Sequence, residues 1–395
     1  SRITGIIAEY NPFHKGHAYH LKKARELTDA EHLVVIMSGD FVQRGAPALF
    51  DKYLRTRMAL LNGADLVLEL PVSSACASAE YFASGAVHVL DRLGCVDALC
   101  FGSESGDTTA LAACAEALLT EHTAYQHTLR SLLKKGYSFP AARKEAFAAL
   151  NRSESLSGLL DSPNNILGLE YIKALKRSNS KIQPSALKRE GAGYHDKDLS
   201  ASFSSATAIR NYLKEIPAGV KNVPSVYGKF LTKTMPRSAA LLAADRLSGE
   251  SPVWDDDFSL LLRYKLMLHT PQELSMYSDM SPELARRIHA RLNEYQSFSQ
   301  FSALLKTREL TYTRISRALL HVLLNIKAEE RPISVPPYAR ILGFKKADRG
   351  LLREIKAKAE IPLITKAADH QKLLGETARE KFRQDLFASN LYETV

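Results

Sequence analysis

The 395-residue chain reads as an α/β protein: a domain on a parallel sheet over residues 1–220, then a helix-rich domain with a small β component over residues 221–395. Three observations predict this. Over the first hundred positions, short apolar runs alternate with amphipathic stretches of helical period, the pattern of βαβ units with helices on both sheet faces. Pro217, Gly219 and Pro224 cluster where that alternation ends. The charge divides there too: residues 1–220 hold 25 basic and 23 acidic side chains, residues 221–395 hold 28 and 20.

Each element has a local reason. Ile3–Ala8 is an apolar run fit for a strand buried on both faces, and the turn-forming Glu9–Gly16 leads into the amphipathic His17–Leu27. Leu33–Met37 is the second strand and Ser38–Pro47 a polar loop. Asp51 is placed to cap a helix ending near Asn62-Gly63, and Leu66–Leu70 is the third strand. Ser78 heads a helix ending at Leu93-Gly94; Ala98–Phe101 is the fourth strand. Helical patterning runs from Thr108 to Leu160, and again from Pro163 to Arg177. Lys181–Arg189 is a fifth strand and Ser205–Lys214 opens a helix. Further on, Phe258–Tyr277, Pro282–Leu305 and Tyr312–Ile326 read as helices. Tyr338–Phe344 and Ile361–Ile364 read as short strands flanking a helix over Lys346–Ala359. In a parallel sheet of this kind, ligands gather beyond the carboxyl ends of the strands. Chemistry is therefore expected in the loops Glu9–His17, Ser38–Pro47, Pro71–Ser78 and Gly102–Asp107.

Composition narrows the class. With 45% hydrophobic and 24% charged residues the chain is an ordinary globular one, neither disordered nor collagen-like. No apolar run nears the roughly 18 residues of a membrane span, and the N-terminus enters a strand without a leader pattern. Cys76, Cys95, Cys100 and Cys114 form no Cys-x-x-Cys pair and sit in apolar surroundings, as reduced core residues of a cytoplasmic protein do. Zinc is not expected. The net charge of +10, concentrated in the C-terminal part, suits a polyanionic partner.

Gly5–Leu21 is the most specific segment. A buried strand runs into Asn11-Pro12-Phe13, then His14-Lys15-Gly16-His17, then a helix. Gly16 lets the backbone approach a ligand closely, and the helix N-terminus offers N–H groups and partial positive charge to phosphate. Two histidines three apart can both donate to charge growing on a phosphate under attack. Later, Ser205-Ala206-Thr207-Ala208-Ile209-Arg210 opens a helix with hydroxyls and a phosphate-neutralising arginine.

The first segment resembles the H-x-G-H signature of the class I aminoacyl-tRNA synthetase and nucleotidyltransferase superfamily. The second resembles its I-S-S-T-x-I-R signature, with Ala206 in place of the second serine. The ordered strings N-P-F-H-K-G-H, S-G-D-F-V-Q-R-G, G-A-D-L-V-L-E-L-P, F-G-S-E, S-P-N-N-I-L-G-L-E-Y, S-A-T-A-I-R and Y-T-R-I-S-R-A-L-L-H are together similar to the tRNA(Met) cytidine acetate ligase family. That resemblance implies a Rossmann-like ATP-binding domain. The implied reaction joins acetate to ATP as acetyl-adenylate, then acetylates N4 of the wobble cytidine of elongator tRNA-Met.

By motif, the ATP loop would comprise Ile7, Ala8, Glu9, Tyr10, Asn11, Pro12, Phe13, His14, Lys15, Gly16, His17, Ala18, Tyr19 and His20. Gly102, one or both of Asn164 and Asn165, Arg189, Ser205, Thr207 and Arg210 would complete the nucleotide site. His14 and His17 would stabilise the extra charge on the α-phosphate, with Mg²⁺ held by the triphosphate. Asp40 is expected to take a hydrogen bond or proton from the cytosine amine, with Gln43 beside it and Arg44 holding acetate or a tRNA phosphate. Lys52, Arg55 and Arg57 read as a solvated helix face. Arg286, Arg287, Arg291, Arg314 and Arg317 are candidates for holding tRNA, and Tyr312 and Tyr338 for stacking on bases. A homodimer is among the open assembly states. The competing reading is a mononucleotide adenylyltransferase acting on a small phosphate ester, which shares the two signatures but leaves the basic C-terminal half unexplained.

Overall fold

The strands form where short apolar runs are long enough to cross a sheet. The structure, a computed structural model, describes residues 1–150, 154–189, 205–217, 227–328 and 335–395. Its strands are β1 (Ile3–Ala8), β2 (His32–Ser38), β3 (Phe41–Val42), β4 (Ala46–Pro47), β5 (Leu66–Leu70), β6 (Ala98–Ser103), β7 (Gln183–Lys188), β8 (Ala339–Phe344) and β9 (Leu363–Ile364). Seven form one sheet in the order β7-β6-β1-β2-β5-β8-β9, and β3 and β4 pair as a small hairpin inside the second rim loop. The first five sheet strands are parallel. Chain order runs from β1 outward through β2 to β5, then jumps back to β6 beside β1. The reversal leaves a crevice beyond the ends of β1 and β6, where such sheets bind ligands.

Helices α1 (Lys15–Thr28) and α2 (Lys52–Leu61) cover one face; α3 (Ala79–Arg92), α4 (Thr108–Thr120) and α5 (Pro163–Arg177) cover the other. The expected caps are in place: Asp51 accepts from the amides of Tyr53 and Leu54, and Ser162 from that of Asn165. All four cysteines are buried thiols. No described helix is long and apolar enough to cross a membrane.

Two expectations change. The long C-terminal helices are broken: Ser259–Met267 stops before Thr270-Pro271, and Pro282–Arg291 is separated from Phe298–Leu305. Thr270 and Ser297 each form a capping box there, starting a new helix where periodicity alone read through. More consequentially, the strands expected around 338–364 do not belong to the C-terminal region. β8 pairs antiparallel with β5, and β9 follows it, so the chain returns to extend the first sheet across the division at residue 220. Helix α6 (Tyr312–Leu324) centres a separate helical core that also takes Phe41, Val72 and Cys76 from the rim loops. The final helix, α7 (Glu376–Glu393), contributes Ala388 and Tyr392 to that core.

Candidate active site

The pocket beyond β1 and β6 is lined by His14, Gly16, His17, His20, Gly102, Asn164, Arg189 and Ser205, with a volume of about 270 Å³. The H-x-G-H segment builds its own geometry. His14 caps α1, its Nδ1 accepting from the Gly16 amide at 3.0 Å, while the His14 amide donates to Nδ1 of His17 at 3.2 Å. The two rings stack with centroids 3.7 Å apart. Because each Nδ1 accepts, the neutral rings carry their protons on Nε2, an assignment that follows from the hydrogen bonds. Burial, reinforced by Arg189 and Arg210, pulls His14 down to about 4; burial and His14 push His17 well below its ordinary value. His20 falls to about 4, again chiefly by burial. The pair therefore offers two neutral N–H donors rather than two cations.

The late signature reaches the same place. Ser205 caps the helix Ala206–Lys214, accepting from the Ala208 amide at 3.1 Å. Arg210 donates to the carbonyl of Asn11 at 2.6 Å and to Thr207 Oγ1 at 3.0 Å, joining this signature to the loop after β1. Burial, with Arg44 nearby, lowers its pKa to about 10, so it stays charged. The two asparagines separate. Asn165 is buried, its Oδ1 accepting from Ser103 Oγ and the Glu104 amide, and so fixes the loop after β6. Asn164 is on the pocket wall and donates to Glu104 at 2.7 Å. A Cβ on Gly102 would touch the Arg189 side chain at 3.5 Å, so glycine keeps that wall thin.

A second chamber of about 270 Å³ adjoins the first and shares Glu9, Tyr10, His17, Leu167 and Tyr171 with it; Gln43, Arg44 and Arg210 line its other side. Gln43 and Arg44 thus lie where the sequence put them, on the rim.

Asp40 does not. Its Oδ1 accepts from the Lys52 amide at 2.9 Å and its Oδ2 from Ser389 Oγ at 2.9 Å, and it lines a different cavity, with Asp51, Tyr53, Arg246 and Tyr392. It is committed to structure, because α7 brings Ser389 across the loop. The solvated reading of α2 is corrected as well. Lys52 is 1% exposed and bonds Glu69 at 2.8 Å and Ser389 at 2.7 Å. Arg55 is 0% exposed and donates to the carbonyls of Glu9, Ser38, Gly39 and Phe50, tying three rim segments together. The sequence signal for Arg55 was its place on the Leu54–Met58 side of the helix rather than opposite it. Arg57 alone of the three is exposed.

The C-terminal candidates divide similarly. Arg286 and Arg314 are exposed. Arg287 is turned onto the carbonyls of Leu305 and Leu304, Arg291 pairs with Glu294, and Arg317 lies 3.5 Å from Asp279. Tyr338 is 1% exposed and donates to Asp385, so it cannot stack on a base. Tyr312 is at the surface, within electrostatic reach of Arg44. The rim loop docks on α6 at Gly45: its φ is +79°, and a Cβ there would strike the Arg317 backbone at 2.4 Å. Among the described residues no group of His, Asp or Glu suited to a metal lies at either chamber. The one such trio, His32, Asp65 and Asp348, is at the opposite end of β2, where Arg25 and Lys345 already pair with Asp65.

The chain is similar to known proteins along its whole length. Residues 1–395 match the family described as HIGH Nucleotidyl Transferase. The chain is 38% identical to the tRNA(Met) cytidine acetate ligase of Acetivibrio thermocellus, over 99% of this chain and 94% of that one. It is 40% identical to that of Caldanaerobacter subterraneus subsp. tengcongensis, over 98% and 94%. Thermotoga maritima TmcAL bound with alpha-thio ATP is similar in structure, with a TM-score of 0.88 and 34% identity over 99% of this chain and 94% of that one. The apo form of the same protein gives 0.89.

Proposed function

The chain belongs to the HIGH nucleotidyl transferase family and, within it, to the tRNA(Met) cytidine acetate ligases; from that premise we propose how its residues divide the work. The enzyme activates acetate with ATP and passes the acetyl group to N4 of the wobble cytidine of elongator tRNA-Met. The observation that carries this reading is the stacked, neutral His14–His17 pair at the β1–β6 crevice, with Arg210 tethered beside it.

In the first step an acetate oxygen attacks the α-phosphate and pyrophosphate leaves with the electrons of the broken P–O bond. The Nε2–H groups of His14 and His17 donate to the phosphoryl oxygens as charge builds, in a site where burial strengthens each donor. Arg210 and Arg189 neutralise the departing phosphates, Ser205 and Thr207 contribute hydroxyls, and Asn164 and Gly102 form the nucleotide wall. Mg²⁺ would arrive on the triphosphate, since among the described residues no carboxylate cluster lines the chambers. In the second step the cytidine amine attacks the acetyl carbon and AMP leaves.

The exposed Arg44, Arg286 and Arg314 are assigned to tRNA phosphates and Tyr312 to an unstacked base, consistent with the basic excess of residues 221–395. A tRNA substrate argues for a cytoplasmic setting. A mononucleotide adenylyltransferase is not favoured, because the relatives match over nearly the whole chain, including the basic part. The test is acetate-dependent exchange of labelled pyrophosphate into ATP, without and with tRNA, followed by nucleoside mass spectrometry of the tRNA. Acetate-driven exchange and N4-acetylcytidine are expected; silence with acetate and other small acids, with and without tRNA, would overturn the assignment.

A further inference from the structure

We infer that Glu9 is the base of the transfer step, removing the proton from the cytosine amine inside the second chamber. The inference rests on the function proposed above and names the group that Asp40 cannot be.

The argument begins with position. Glu9 follows directly on β1 and lines both chambers, as His17 does. If the α-phosphate lies against His17, the acyl carbon must lie where the chambers meet, and Glu9 stands at that junction. Its hydrogen bonding is one-sided. Ser38 Oγ and the Gln43 amide both donate to Oε2, each at 2.9 Å, and Oε1 has no protein partner among the described residues. The carboxylate is thus aimed by one oxygen and free at the other. The chamber's other polar walls include Gln43, Arg44 and Arg210, so Glu9 faces a polar rather than a purely apolar space. The chamber's size suits a single pyrimidine with an acetyl group, and exposed Arg44 at its edge suits the attached phosphate.

The chemistry balances. The amine nitrogen attacks the acetyl carbonyl and a C–N bond forms. The nitrogen's proton passes to Glu9 Oε1, the C–O bond to the phosphate breaks, and AMP leaves with that electron pair. Glu9 then returns its proton to solvent. Burial raises the Glu9 pKa against the opposing effects of the Gln43 amide, Ser38, Arg55 and Arg210, which makes it a better base than a free glutamate. His17 and Tyr10 line both chambers with it, and Tyr171 and Cys76 are within its electrostatic reach; burial raises both, keeping them neutral.

Glu9→Gln tests this, because the amide oxygen can still accept from Ser38 and Gln43. Single-turnover acetyl transfer from enzyme-bound acetyl-adenylate to tRNA is expected to fall at least about 100-fold more than acetate-dependent pyrophosphate exchange. The wild-type transfer rate should rise with pH as Glu9 loses its proton, and this acid limb should vanish in the Gln variant. Glu9→Asp should recover part of the transfer rate. A parallel fall of both half-reactions would make Glu9 a scaffold only, and unchanged transfer would remove it from the chemistry. Failure of the unmodified protein to support acetate-driven exchange would instead overturn the function itself, and this role with it.

Discussion

Two rim loops of the same sheet put polar residues at the carboxyl ends of adjacent strands, and they do opposite things. After β1, each histidine ring accepts a backbone amide at Nδ1, from Gly16 on His14 and from His14 on His17, which leaves Nε2 outside those bonds and on the pocket side. After β2, Asp40 spends both oxygens on Lys52 and Ser389, and Lys52 spends its ammonium on Glu69 and Ser389. The first loop stays available because its neighbours cannot satisfy it; the second is closed because α7 crosses it. A charged residue at a strand end is therefore a site only if tertiary partners leave it unpaid.

The largest break in this comparison is expected from Lys52→Met. It leaves Glu69 and Asp40 buried together and should cost about 3–5 kcal/mol in denaturant unfolding. The same variant should retain pyrophosphate exchange in its folded fraction. Loss of exchange without loss of stability would move the Asp40 cluster into the chemistry. His17→Ala is the mirror image. Exchange should fall about 10²–10³-fold, the loss typical of one preorganised donor, with tRNA affinity and folding nearly unchanged by filter binding and urea titration. Equal loss of affinity would mean that the ring only supports the fold.

A pH titration sharpens the contrast. His14 and His20 stay neutral in the fold to about 4, whereas in the unfolded chain they protonate near 6.5. Between those values the unfolded state binds more protons, so stability is full above 6.5 and declines as pH falls through the window. Buried Asp385, raised to about 7, acts in the opposite direction, so the urea midpoint is read as a difference from a His14→Asn/His20→Asn variant. From pH 7.5 to 5 the wild-type midpoint should fall relative to the variant's, and a flat difference would contradict neutral His14 and His20. The smallest effect belongs to the exposed cations. Arg44→Ala and Arg314→Ala should each weaken tRNA binding less than tenfold and lower the salt slope of log affinity by about one, leaving exchange untouched. A slope unchanged in both would place the tRNA elsewhere.

What was legible early was whatever a short stretch of chain fixes by itself. The strands at 3–8, 32–38 and 66–70, the caps at Asp51 and Ser205, and the His14–His17 site follow from apolar runs, capping side chains and a strand-to-helix turn. Local spacing could not say whether Asn164 or Asn165 lines the pocket, because the choice is made by Ser103 and the Glu104 amide, which hold Asn165. Nor could it show Arg55 as a buried clasp, since its four acceptors are carbonyls on other loops.

The sequence by itself determined the parallel core, the nucleotide-binding signatures and the basic C-terminal half, because periodicity, capping and charge are carried by neighbouring residues. Only the tertiary structure decided that β8 and β9 extend the first sheet, that α7 closes the loop around Asp40, and that both bonds to Glu9 from the described residues fall on one oxygen. An unpaired strand edge and an unpaired charge are satisfied by whichever distant segment packs against them, and that pairing depends on the whole chain.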